Sequence, residues 1–109
     1  LFRSNSPWLL PTTSDPFDKI FENEEELIEK SVLSYGSFGV QILKKSEIKE
    51  AKAGCIYQKV YDVYDEGEYF VLGAWLIGDD YAGLIVKNSK GRISTYDAPT
   101  TFSRIVESV

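Results

Sequence analysis

From Tyr69 to Ile77 nearly every residue is apolar or aromatic, and neither alternating set carries a charge. A run that is apolar on both faces predicts a strand in the middle of a sheet. Gly78-Asp79-Asp80 interrupts it with turn formers, and Ala82 to Val86 resumes it, so the chain is expected to reverse there. Asn88-Ser89-Lys90-Gly91 predicts a second reversal, after which Arg92 to Asp97 alternates, with Ile93 and Thr95 on one side. The expectation is a meander over 69–97.

Upstream, the pattern changes period. Leu27, Ile28, Val32 and Tyr35 form a stripe at helical spacing, with Asn23 as N-cap, Glu24, Glu25 and Glu26 at the positive end of the dipole, and Gly36 as the stop. That predicts a helix over about 24–35. Phe38, Val40 and Ile42 alternate with Gly39 and Gln41, a half-buried strand over 37–43. Ser46 is read as the cap of a second helix, 46–53, stopped by Gly54. Cys55 to Tyr64 alternates again, and Asp65-Glu66-Gly67-Glu68 is a charged turn into the central strand.

The two ends are less regular. Pro7, Pro11 and Pro16 oppose regular structure in Leu1 to Phe17, while Trp8, Leu9 and Leu10 form an apolar cluster expected to pack on the domain; Phe17, Ile20 and Phe21 suit one short amphipathic turn. At the other end Phe102, Ile105, Val106 and Val109 fit a helix face, but Thr100 to Val106 is also rich in β-branched residues and suits a strand. The fold class expected is therefore α+β: a central, mostly antiparallel sheet with helices at about 24–35 and 46–53 packed on it. The domain reading is a proline-containing arm over 1–22 and a single domain over 23–109.

Composition narrows the chemistry. At 109 residues, 43% hydrophobic and 14% aromatic, the chain has enough apolar material for one core. No apolar run approaches the roughly 20 residues of a membrane span, and LFRSNSPWLLP lacks the layout of a signal peptide. With no initiator Met, both ends are read as open. A single cysteine, Cys55, excludes an intrachain disulfide and makes a reducing cytoplasm the default. The absence of histidine removes Ser-His and Cys-His pairs and most zinc sites. No catalytic residue, metal ligand set or cofactor motif is expected.

The net charge of −5 is uneven. Asp15 to Glu29 carries seven acids against one Lys, Tyr61 to Asp80 six acids and no base, and Lys44 to Val60 five Lys against two Glu. Acidic blocks oppose nucleic-acid binding and attract basic partners, or simply keep a small protein in solution. The lysines Lys44, Lys45, Lys49, Lys52 and Lys59 are read as a solvated face, since neither a phosphate-cradling glycine loop nor a basic-aromatic stripe accompanies them. Adjacent carboxylates at Asp79 and Asp80 fit ordinary turn chemistry better than a metal site. The expected partner surface is Tyr61, Asp62, Tyr64, Asp65, Glu66, Glu68, Asp79, Asp80 and Tyr81, where rigid rings supply area and carboxylates steer a basic protein.

The helix ending Leu33-Ser34-Tyr35-Gly36, the stretch GVQILKKSEIKEA with its Leu43 to Ile48 step, and LGAWLIGDDYAGLIVKNSKGRISTYD together resemble the SUKH superfamily. That superfamily includes bacterial immunity proteins of polymorphic toxin systems and relatives of a yeast cell-wall synthesis regulator. The likeness spans roughly 24–109, with Leu10-Pro11 a nominal counterpart of the family's opening Leu-Pro step, and it implies a strand for the last segment. It implies a non-enzymatic immunity protein that neutralises a basic toxin domain, such as a nuclease, with no nucleic acid or membrane contact of its own. The alternative expectation is a structural or adaptor subunit, of phage or multidomain origin, docking through the N-terminal arm.

Overall fold

A computed structural model describes residues 9–33, 38–94 and 98–103. The chain divides into two compact units, Leu1–Tyr61 and Asp62–Val109. Each carries a four-stranded antiparallel sheet.

The first unit contains β1 (Thr12–Thr13), β2 (Glu26–Ser31), β3 (Val40–Lys44) and β4 (Cys55–Lys59), in the order β1-β4-β2-β3. The expected helix over 24–35 is therefore a strand as far as Ser31, with Tyr35 and Gly36 outside the described residues. The physical reason lies in the neighbours. A lone helix of about 12 residues is marginal even with good caps. As a strand, the same residues pair on both sides, Leu27 opposite Leu43 in β3 and opposite Lys59 in β4. The two-residue period also sorts the segment cleanly: Leu27 and Glu29 point to one face, Ile28 and Lys30 to the other.

The second expected helix, 46–53, reduces to a 3-10 turn at Lys45–Glu47, followed by extended Ile48. Ile48 is the only large apolar residue between Ser46 and Lys52, so there is no stripe for a helix to bury; its side chain instead packs on the core. That core is small. Phe21, Leu27 and Tyr57 are fully buried, with Pro16 beside them among the buried side chains. A 3-10 turn at Lys19–Phe21, capped by the Asp18 carboxylate accepting from the Ile20 amide, delivers Phe21. The Lys45 ammonium donates to the Phe21 carbonyl.

The second unit contains β5 (Tyr64–Asp65), β6 (Glu68–Ile77), β7 (Asp80–Ser89) and β8 (Thr100–Ser103), paired in sequence order. Both hairpins turn in two residues. Glu66 and Gly67 take φ of 48° and 84°, the pair of positive angles that a type I′ turn needs, and Gly78 takes 62° between β6 and β7. A bulge at Trp75/Leu76 shifts the register, so that Trp75 faces Gly83 while Leu76 faces Tyr81. The expected strand at 92–97 is not formed by Arg92 to Ser94, and 95–97 lie outside the described residues. β7 runs on through the expected reversal to Ser89, and the third strand is Thr100–Ser103, opposite Leu84 to Lys87. The fold is thus almost entirely β, and the α+β expectation is corrected.

The β6–β7 hairpin exposes much of its apolar content: Leu72, Trp75, Leu76 and Tyr81 are each more than half exposed, and Ile77 reaches 75%. Among the described residues no helix is long and apolar enough to cross a membrane.

Few side chains are fully buried among the described residues, all of them in the first unit, so each carries a large share of that unit's stability. Leu27→Ala is expected to cost about 2–5 kcal/mol in urea denaturation, whereas Leu72→Ala on the exposed hairpin should stay within about 0.5 kcal/mol of wild type.

Candidate functional site

The residues singled out in sequence fall along the second half of the chain. Tyr61 is exposed, in the segment that follows β4. Asp62 is engaged by Arg92, whose Nε and Nη2 lie 3.0 and 2.8 Å from its Oδ2. Tyr64 packs on Tyr69 with ring centroids 4.7 Å apart, and Asp65 and Glu66 enter the β5–β6 turn. Glu68 accepts from Asn88 Nδ2 at 3.1 Å and is ion-paired to Lys90 at 3.1 Å. These two donors, the hydrogen bond of Asn88 first and then that of Lys90, hold the Glu68 carboxyl below its ordinary pKa. Asp79, Asp80 and Tyr81 lie at the other end of β6, ten residues long, which is roughly 30 Å at about 3.3 Å per residue. Asp62 and Glu68 therefore already have basic partners within the chain. Among the described residues no three Asp, Glu or Cys side chains gather as a metal site.

The concentrated polar chemistry is elsewhere, at two consecutive residues of β2. Glu29 is 6% exposed and projects into the core face. Register brings Gln41 of β3 and Tyr57 of β4 directly opposite it. Gln41 Nε2 donates to Glu29 Oε1 at 2.7 Å, and the Tyr57 hydroxyl donates to Oε2 at 2.9 Å while accepting from the Lys52 amide at 2.9 Å. Burial first, and the Glu29 carboxylate besides, push the Tyr57 phenol above its ordinary pKa, against the opposing pull of the Lys52 amide. A pocket of about 390 Å³ opens above Glu29 and Gln41, walled by Leu43 and Ile48.

Lys30 projects to the opposite face, as the pleat requires. Its Nζ donates to Gln58 Oε1 at 2.6 Å, Gln58 Nε2 donates to Thr12 Oγ1 at 3.0 Å, and Thr12 donates to the Leu10 carbonyl at 2.9 Å. β1, β4 and β2 thus each supply one member of a hydrogen-bonded row. Half-buried Ile28, Val40, Ile42 and Ile56 share this face by register. Among the described residues, no carboxylate lies within ion-pair distance of Lys30. A half-buried ammonium with only a neutral partner keeps donor capacity for an anion.

Sequence reading missed both Glu29 and Lys30. Placed on a helix, they looked like one more pair of surface charges. The visible signal was the order Leu-Ile-Glu-Lys, an apolar pair followed by an opposite-charge pair, which a strand splits between its two faces.

A chain that is almost entirely β agrees poorly with SUKH, and comparison with known families settles the matter. The chain belongs to the glutathionylspermidine synthase preATP-grasp family, whose model matches residues 1–106. The SUKH likeness is corrected accordingly: the helix at 24–35 on which it leaned is strand over Glu26–Ser31. No curated protein matches the chain.

Removing the Tyr57 hydroxyl strips a donor from a buried carboxylate, so Tyr57→Phe should cost about 2 kcal/mol at neutral pH. Because the folded phenol is held neutral, its contribution is fully present below the free phenol's pKa of about 10 and declines as pH rises through the raised folded value. Chemical denaturation from pH 7 to 11 should therefore show the wild-type advantage over Tyr57→Phe shrinking in the alkaline range. For Glu68 the sign is opposite: the advantage of wild type over Glu68→Gln is expected above the ordinary carboxylate range and should vanish as pH falls through the lowered folded value.

Proposed function

We propose that this chain works within an enzyme of the glutathionylspermidine synthase type, and that the Lys30–Gln58–Thr12 face receives a phosphate group of ATP. The observation that carries the reading is the state of Lys30: half-buried, oriented by Gln58, and without a carboxylate in ion-pair distance among the described residues. A structural lysine on a sheet face is usually either fully solvated or paired with an acid. An ammonium fixed by a neutral amide is arranged for an incoming anion. The isoleucines and valine on the same face offer apolar surface to the base, and membership of the preATP-grasp family of a synthase makes a nucleotide the candidate to test.

The chemistry is consistent with the class. Joining a carboxylate to an amine requires loss of an oxygen that leaves poorly, and phosphoryl transfer converts it into a good leaving group. Lys30 would serve by holding negative charge in place, a positioning and electrostatic task. The toxin-neutralising reading had the SUKH likeness as its ground, and the ion pairs of Asp62 and Glu68 leave less of the acidic segment available to a basic partner. A reducing, cytoplasmic setting suits the buried free thiol of Cys55.

Calorimetric titration of the full-length protein with ATP tests the proposal. Lys30→Ala should weaken binding roughly ten- to hundredfold, as loss of a charge-assisted hydrogen bond of about 1.5–3 kcal/mol implies. Lys59→Ala, which removes the ion pair to Glu24 at 3.0 Å, should leave ATP affinity unchanged. Equal affinity in wild type and Lys30→Ala would overturn the assignment.

A further inference from the structure

The second unit leaves one long strand edge open. β5 covers β6 only at Tyr69 and Glu68, opposite Tyr64 and Asp65, and the Phe70 amide donates on that side to the Val63 carbonyl at 2.8 Å. Beyond Phe70 no described residue pairs with this edge, although β6 continues to Ile77. In an antiparallel ladder the N–H and C=O of one residue leave on the same side and alternate residues share it, so Leu72 and Ala74 direct theirs outward, as Phe70 does. The bulge does not blunt the edge. Trp75 lies opposite Gly83 and Leu76 opposite Tyr81, so the extra residue is Ala82 of β7 and β6 itself runs on unbroken.

Nothing in the side chains turns another strand away. Tyr69 to Ile77 holds no charge and no proline, and Val71, Leu72, Trp75 and Leu76 are exposed, so both faces beside the edge are apolar. Native proteins ordinarily block such an edge with lysine, proline or a cover, because a free row of amides and carbonyls templates a further strand. Charge says what kind of strand fits. Exposed Asp65 and Glu66 stand at one end of the uncharged run and exposed Asp79 and Asp80 at the other, none of them in an ion pair among the described residues. A second copy laid antiparallel on the same edge about Gly73 would set Glu66 against Asp80 twice over, and like charges oppose it. A strand with an apolar middle and a base at each end meets no such cost.

We propose that the outer edge of β6, from Val71 to Ile77, receives an extended segment of a partner protein by strand addition, the segment being apolar along its middle and bearing Lys or Arg at both ends. Main-chain bonds at Leu72 and Ala74 make the pairing, apolar side chains on both faces add contact area, and the acids at the two ends fix the register. This surface shares no residue with the Lys30 face and stands independently of the nucleotide reading.

The probe is a synthetic peptide with a valine and isoleucine core and a lysine pair at each end, titrated into the intact protein by calorimetry and followed by NMR at the Leu72 and Ala74 amides. Two controls accompany it: the same core with glutamate ends, and the lysine peptide N-methylated at alternate amides so that it cannot pair. Saturable binding that shifts both amides is expected, lost on N-methylation and about tenfold weaker with glutamate ends. Leu72→Pro removes one outward amide hydrogen and no bond to β7, so it should weaken binding roughly five- to tenfold. Asp79→Asn combined with Asp80→Asn should weaken it about threefold at low salt. If Leu72→Pro does not fold, the N-methylated peptide and the Asp79 and Asp80 variant decide. No binding of the lysine peptide overturns the proposal, and so does equal binding of the N-methylated form, which would make the contact one of faces and not of the edge. Equal binding with glutamate ends, or sedimentation showing the edge already closed by self-association, overturns it too. Failure here with ATP binding intact would leave the Lys30 assignment standing, and the reverse holds equally.

Discussion

The first unit depends on keeping a carboxylate inside its core, where Phe21, Leu27 and Tyr57 are the fully buried cluster among the described residues. β2 is paired on both edges, so every second residue must enter the covered face, and the third of the inward positions counted back from Ser31 is Leu27, the second Glu29. Glu29 cannot turn outward without a register slip that would take Leu27 with it. The cross-strand neighbours resolve the conflict: Gln41 and Tyr57 stand directly opposite and each donates to one oxygen. Tyr57 is held in turn by the Lys52 amide, so the 45–54 segment is fastened to the sheet through the same network. Burial of an aromatic ring, satisfaction of an acid and placement of an irregular segment are thereby one event.

This arrangement also explains how two chemical surfaces arise from adjacent residues. The pleat sends the side chains of positions 29 and 30 apart, and each finds a neutral amide as partner, Gln41 for the acid and Gln58 for the base. Had the two charges been able to reach each other, they would have formed an ordinary pair. Strand geometry forbids it, so each keeps unspent capacity on its own side of the sheet.

What was legible in the sequence followed from local chemistry. The chain turned where expected at Gly78 and at Glu66-Gly67, which take positive φ, and the two-faced apolar run at Tyr69 to Ile77 is β6. The alternation around Val40 and Ile42 and that of Cys55 to Lys59 are strands as well. What failed was long-range. Leu27 and Ile28 suit either period, and the acids after Asn23 were strong local arguments for a helix; the choice was made by β3 and β4, 12 or more residues away, which a local pattern does not show. Ser89 and Asn88 are poor strand formers, yet they continue β7 because Phe70 and Tyr69 lie opposite and Asn88 is tied to Glu68. The site was hidden by the same error, since on a helix Glu29 and Lys30 both fall outside the Leu27, Ile28 and Val32 stripe and read as solvated charges.

The outermost strand of the first sheet, β1, is only two residues long and sits between Pro11 and Pro16. Proline offers no amide hydrogen, and the Pro11 carbonyl is already taken by the Lys59 amide. An approaching polypeptide would find almost no free donors in line along this margin, so the sheet ends there by design of its covalent chain and resists growing by the addition of foreign strands.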